Sequence, residues 1–297
     1  MYPRPFQYHR AGSLQEASLM LGQLGENAKL LAGGQSLIPL LKLRFASPEH
    51  LVDLNFIPGI SFIKKNPGAL YFGAMTRHAE IENSQLAREI PMLHDCAAGI
   101  ADVQIRNRGT IGGSLAEADP SGDWGNALLT LDTTLHCLGP NGKRAIALKD
   151  FVKDAYTTAL AHDELVSEVE VKIPAQGSGG AYLAFKRSAP VYPSASVAVQ
   201  LTMAGDVCRE AAVALGCVGL TAIRASEAET ALRGKVLNEK TIATAAEAAR
   251  AAGDPQPDMR GSAEYKRQLV AALVERAIGI AARRARGEHV EGTHLYA

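Results

Sequence analysis

Lys29-Leu-Leu-Ala-Gly-Gly-Gln-Ser-Leu-Ile-Pro-Leu-Leu-Lys-Leu-Arg44 reads as a short buried strand that runs through a glycine turn into a helix. Residues 29–32 are apolar enough for a strand, and residues 37–43 resume a helical pattern that tolerates Pro39 in its first turn. Between them stands Ala32-Gly33-Gly34-Gln35-Ser36. Paired glycines allow positive φ and a close backbone approach, and successive free N–H groups at a strand-to-helix turn make a concavity for an anion. A second segment of the same kind, Ile105-Arg-Asn-Arg-Gly-Thr-Ile-Gly-Gly-Ser-Leu-Ala116, follows far along the chain. Each glycine pair alone is more often just a tight turn. Two with matching small-residue frames suit a diphosphate clamped from two sides, with Ser36 and Ser114 adding hydroxyl donors. Neither is a G-x-G-x-x-G or a G-x-x-x-x-G-K-[ST] motif, so Rossmann and P-loop readings are excluded.

Working outward, Ser13-Leu14-Gln15-Glu16 is a capping box that opens a helix with Leu14, Ala17, Leu21 and Leu24 on one face. Residues 51–54 read as a strand, which closes a first unit at 1–57. A second unit, 58–175, holds strands near 70–72, 135, 145 and 166–173, with an Asn141-Gly142 hairpin turn and helical stretches at 76–87 and 92–100. Gln176-Gly177-Ser178-Gly179-Gly180 has the composition of a linker. The third unit, 176–297, has strands near 181–186, 196–203 and 211–216, then helices near 224–233, 239–252 and 262–285, with Gly234 and Gly253 at C-cap positions. The class is α+β.

Lys+Arg and Asp+Glu both number 31, so nothing draws the chain to nucleic acid or to an anionic membrane. No apolar run reaches a membrane span, and the N-terminus lacks the apolar core of a signal peptide. Cys96, Cys137, Cys208 and Cys217 are scattered and match neither a zinc nor an iron–sulfur spacing, so the expectation is reduced thiols, a cytoplasmic location and no metal site. Arg106 and Arg108 stand where they could reach phosphates, or else are solvated loop residues.

The two glycine segments, the continuation through Asp119-Pro120 and Asp123, and Gly261-Ser-Ala-Glu-Tyr-Lys-Arg-Gln-Leu-Val-Ala-Ala-Leu-Val-Glu-Arg-Ala277 resemble, in order and spacing, the FAD-binding medium subunits of the molybdenum hydroxylases of the xanthine dehydrogenase and aerobic carbon monoxide dehydrogenase type. The resemblance implies a PCMH-type, vanillyl-alcohol-oxidase-like FAD-binding fold in two subdomains, followed by a C-terminal lobe of antiparallel strands and helices. It implies that Leu31, Ala32, Gly33, Gly34, Gln35 and Ser36, with Thr110, Ile111, Gly112, Gly113 and Ser114, bind the FAD diphosphate. It sets Asp123 on the ribose–adenine side, and Leu165, Lys186 and Tyr192 near the flavin ring. Gln35, Ser114 and Val191 depart from the family's usual residues, which bears on redox tuning rather than on binding.

The resemblance further implies non-covalent FAD that takes electrons from [2Fe-2S] clusters of a small partner subunit and passes them to an external acceptor. A large partner subunit carries molybdopterin and oxidises the substrate, and the assembly is a dimer of heterotrimers. No side chain of this chain need act as an acid or base. Two other readings stand beside this one. One is a stand-alone flavin oxidase or dehydrogenase of the same superfamily, against which the short C-terminal lobe leaves little room for a substrate cap. The other is a non-catalytic nucleotide- or partner-binding module built around the long C-terminal helix.

Overall fold

A computed structural model describes residues 2–292 and the backbone of residues 295–296. Short apolar runs that alternate with helices favour parallel pairing through crossovers. Strands Gln7–Arg10, His50–Asp53 and Ala28–Leu31 lie parallel in that order. The Ser13 hydroxyl caps helix Leu14–Leu24, accepting the Glu16 amide at 3.1 Å. The Glu16 carboxylate reaches past the expected partner to the Gly12 amide at 2.7 Å. Ala17 and Leu21 on the buried face of this helix pack with Val52 and Leu54, and Met75 and Leu165 from the following segment complete that cluster.

Five antiparallel strands follow, ordered Ile63–Asn66, Ala69–Gly73, Leu165–Lys172, Thr133–Gly139 and Gly142–Ala147. Gly139 pairs with Gly142, so the hairpin corner is Pro140-Asn141, one residue earlier than the Asn141-Gly142 turn expected. The helical stretch expected at 76–87 is an α-helix only over His78–Glu82, with a 3-10 turn at Ala87–Glu89 before helix Pro91–Gly99. Helices Ile111–Glu117 and Asp123–Leu129 were not anticipated by periodicity.

The C-terminal sheet runs Ile223–Arg224, Val207–Gly216, Ala195–Ala204 and Ser178–Lys186, with Leu295–Tyr296 parallel to the last. Helices Ser226–Leu232, Glu239–Ala252 and Ala263–Ala285 contribute to the core on one face. The glycines expected to form a linker are mostly strand. A Cβ at Gly179 would strike the Ala281 carbonyl and lie 2.9 Å from the Arg284 carbonyl carbon. Gly179 thus serves the close approach of helix Ala263–Ala285 to the sheet, a side chain at Gly180 would meet Gln200 and Met92, and only Gly177 of the three turns with positive φ.

On the opposite face, Tyr182, Ala184 and Ala198 join the core of Met92, Leu93, Trp124 and Leu128. Burial of such large side chains stabilises the contact by about 1.5–3 kcal/mol each. Arg284 adds a bidentate ion pair to Asp95 at 2.5 and 3.0 Å, both side chains nearly inaccessible. All four cysteines are free and buried. Among the described residues no helix is long and apolar enough to cross a membrane, and no group of three or more His, Cys, Asp or Glu is placed to hold a metal.

Candidate functional site

The fold brings the two glycine segments into direct contact. A Cβ on Gly33 would overlap the Arg108 carbonyl oxygen and come within 2.8 Å of Gly109 Cα. A Cβ on Gly113 would lie 3.5 Å from Ala32 Cβ. The glycines differ in what they supply. Only Gly34 takes positive φ, at +75°. Gly33 is required by the passage of the second segment against it. Gly112 is required by Ala74, whose Cβ a side chain at Gly112 would meet at 2.6 Å.

Amide availability also differs. Among the described residues the amides of Gly33, Gly34, Gln35 and Ser36 have no protein acceptor, and Ser36 does not cap the helix Leu37–Leu43 that it precedes. That row of open donors at a strand-to-helix turn is what a diphosphate requires. In the second segment Gly112 and Gly113 lie in the first turn of helix Ile111–Glu117, not in an open loop. Ile111 donates to Thr76 O at 3.0 Å, Gly112 to Ala74 O at 2.9 Å and Ser114 to Thr110 O at 3.0 Å. Gly113 donates to the Thr110 hydroxyl at 3.2 Å. This side of the clamp therefore offers a helix start, one long capping bond and the Ser114 side chain rather than a row of free amides. The Thr110 cap is legible in the sequence only once the helix is known.

Cavities flank both segments. One of about 140 Å³ is lined by Ser114, Leu115, Asp119, Gly122, Lys149 and Thr221. Another, of about 250 Å³, is lined by Leu54, Asn55, Ile57, Met75 and Arg77.

The remaining candidate residues fall into two places. Asp123 and Lys186 come together in the interior. Asp123 is 5% exposed and accepts the Tyr182 hydroxyl at 2.5 Å, while Lys186 is 2% exposed and donates to the Gly99 carbonyl. Burial raises the Asp123 carboxyl pKa above its ordinary value, against the pull of Lys186 and the Tyr182 hydrogen bond. Tyr192 lies in the turn after strand Ser178–Lys186, half-exposed, and its hydroxyl pKa is raised by partial burial and then by the charge of Asp119. Leu165 does not join this group. It is 2% exposed, at the start of strand Leu165–Lys172, within the cluster against which Leu30 and Ala32 also pack.

Of the two arginines, Arg106 is engaged. It pairs with Glu82 at 2.8 Å and donates to the Ile100 and Ala101 carbonyls. Arg108 is exposed, and its positive charge acts on Arg77.

The residues that sequence reasoning missed sit behind the two segments. His78 donates its amide to Gly109 O at 3.1 Å, and its ring lies where a Gly109 side chain would go. Its Nδ1 accepts the Trp124 indole N–H at 3.1 Å, which leaves the proton on Nε2. Burial, then the charges of Arg77 and Arg106, lower its pKa to about 3, so it is neutral. Asn55 and Arg77 link the carbonyls of the two segments. Their partners lie too far along the chain for any local pattern to mark them.

Residues 4–176 match the model of the FAD binding domain in molybdopterin dehydrogenase, and residues 180–281 match that of the CO dehydrogenase flavoprotein C-terminal domain. The carbon monoxide dehydrogenase medium chain of Hydrogenophaga pseudoflava is 39% identical over 282 residues, covering 95% of this chain and 98% of the relative. The 6-hydroxypseudooxynicotine dehydrogenase complex subunit alpha of Paenarthrobacter nicotinovorans is 40% identical over 289 residues, covering 96% and 97%. A solved carbon monoxide dehydrogenase from Hydrogenophaga pseudoflava, lacking the Mo-pyranopterin moiety, superposes with a TM-score of 0.93 at 40% identity, covering 96% of this chain and 99% of that one. The chain belongs to the FAD-binding medium subunits of the molybdopterin-dependent dehydrogenases, and is a flavoprotein subunit of a multi-subunit oxidoreductase.

Proposed function

We propose that residues 31–36 and 110–114 hold the FAD diphosphate, and that Asp123, Leu165, Lys186 and Tyr192 surround the rest of the cofactor. The observation that carries this reading is the row of open amides from Gly33 to Ser36, locked against Arg108 and Gly109. The first segment supplies the main-chain donors, and the Ile111–Glu117 helix start and Ser114 face the same anion. FAD, when bound, couples one-electron delivery from a partner's [2Fe-2S] clusters to an external acceptor. The chain's own residues bind and orient. Gly34 provides the left-handed turn, Gly33 the close approach, and Asp123, on which the Lys186 charge acts, a buried carboxyl whose charge reaches Tyr192.

Support for the reading extends to the assembly. Relatives named as medium chains imply a large and a small companion, and we propose a cytoplasmic dimer of heterotrimers with molybdopterin in the large subunit. The three larger sheets support a division into units 1–57, 58–175 and 176–297. Similarity does not single out a substrate. Identity is 39% to a carbon monoxide dehydrogenase chain and 40% to a 6-hydroxypseudooxynicotine dehydrogenase chain, as expected if substrate is chosen in another subunit.

The test is flavin content of the purified complex. Gly34→Val and Gly113→Val are each expected to lower FAD occupancy while both partner subunits still co-purify. Full occupancy in both variants overturns the assignment. A native complex of two partners that runs at the mass of a single heterotrimer overturns the dimer.

A further inference from the structure

We infer that Asn55 and Arg77 are positioning residues that set the separation of the two cofactor segments and thereby the affinity for FAD. This rests on the assignment of those segments to the diphosphate.

The first link begins at Asp53, whose carboxylate accepts the Tyr8 hydroxyl at 2.6 Å and the Asn55 backbone amide at 2.8 Å. Burial acts to raise its pKa, but these hydrogen bonds prevail and hold the carboxyl below its ordinary value. Asp53 also accepts from Asn55 Nδ2 at 2.7 Å, which fixes the amide rotamer. Nδ2 then donates to the Ala32 carbonyl at 2.8 Å, one residue before the contact glycine Gly33. Oδ1 faces the other way and accepts from Arg77 Nη2 at 2.6 Å.

Arg77 completes the link. Its Nη1 donates to the Arg108 carbonyl, the same oxygen that a Gly33 side chain would strike. The path from Ala32 O through Asn55 and Arg77 to Arg108 O thus closes a ring on the direct Gly33–Arg108 contact. The Arg77 backbone is held by its amide donating to the Glu80 carboxylate at 2.7 Å and by a bridge to Thr110. One planar guanidinium fork spans two acceptors that different segments supply, a geometry lysine cannot reproduce.

Both residues are only partly buried, and neither belongs to a hydrophobic core cluster. Their side-chain hydrogen bonds are with the two segments, with Asp53 and with each other. The Arg77 guanidinium also places a positive charge where the two segments meet, which favours an anion there.

The experiment uses the full complex carrying Arg77→Lys or Asn55→Ala, stripped of flavin and titrated separately with FAD and with FMN. FMN shares the ring and has no diphosphate. We expect FAD to bind about 10- to 100-fold more weakly in each variant, as for the loss of one or two charge-assisted bonds, and FMN to change by less than about threefold. The inference is overturned if both variants bind FAD within about threefold of the parent, or if FAD and FMN weaken equally, which marks general loosening. Gly34→Val separates the two levels. Should it lose FAD while Arg77→Lys and Asn55→Ala retain it, only the bracket falls. Should all three retain FAD, the segment assignment falls as well.

Discussion

Gly33→Ala places the smallest possible side chain at the contact between the two cofactor segments. The added Cβ would lie 2.8 Å from Gly109 Cα, where ordinary contact begins at 3.4 Å, so the segments must part by at least 3.4 − 2.8 = 0.6 Å. Overlap with the Arg108 carbonyl is more severe still, and that atom is backbone already bound by Arg77, with no rotamer to relieve it. Overpacking of this kind costs about 1–3 kcal/mol. The cost falls on the spacing that a diphosphate has to bridge, so FAD affinity is expected to drop by about 10- to 100-fold. Gly34→Ala is the matched comparison. Its Cβ meets the Cδ1 end of Ile38 at 2.8 Å, a flexible side chain that can swing aside, leaving mainly the left-handed penalty of about 1–2 kcal/mol at φ +75°. Fluorescence titration of the flavin-stripped complex measures both. If Gly33→Ala binds FAD within twofold of the parent, or no more weakly than Gly34→Ala, the segments do not need the separation observed.

Two further expectations concern what holds the site in place. Arg284→Met leaves the nearly inaccessible Asp95 carboxylate without the bidentate partner that ties helix Pro91–Gly99 to helix Ala263–Ala285, and is expected to destabilise the protein by about 3–5 kcal/mol in urea unfolding. Adding Asp95→Leu should recover part of this, and a single-variant loss below about 1 kcal/mol would mean that the pair is solvated. His78, with its folded-state pKa lowered to about 3 by burial and by Arg77 and Arg106, stays neutral while the unfolded chain takes up a proton near the ordinary value of 6.5. Its stabilising contribution is therefore complete above pH 6.5 and is lost as pH falls towards 3, with a slope of about 1.4 kcal/mol per pH unit. His78→Gln should flatten that part of the stability–pH curve between pH 4 and 6.5, and an unchanged slope would show that another group is responsible.

What could be read from the sequence follows from the range of the interactions involved. Ser13 caps its helix through a bond spanning three residues, and Gly34 turns within its own loop, so both are visible in the residue order. Gly33 and Gly112 are demanded by Arg108 and Ala74, each well outside its own turn, and a local reading assigns them to flexibility when they serve close packing. The same mistake made a linker of Gly179 and Gly180, which lie in a strand beneath helix Ala263–Ala285. The helix Ile111–Glu117 was missed because two glycines weaken its propensity and Ala118 ends it in the left-handed region.

Family resemblance supplied the side chains that physics alone did not, and the structure separates them by environment. Tyr192 is half-exposed beside Asp119, whereas Asp123, Lys186 and Leu165 are interior. Interior residues act on a cofactor with the little surface they present, or through charge, packing or the position of a neighbour. That distinction bears on the departures at Gln35, Ser114 and Val191. Gln35 donates to the Gly33 carbonyl at 3.2 Å and so steadies a loop whose own amides stay open. On the proposed assignment of this loop to the diphosphate, changes at such positions leave binding to the main chain and alter what surrounds it.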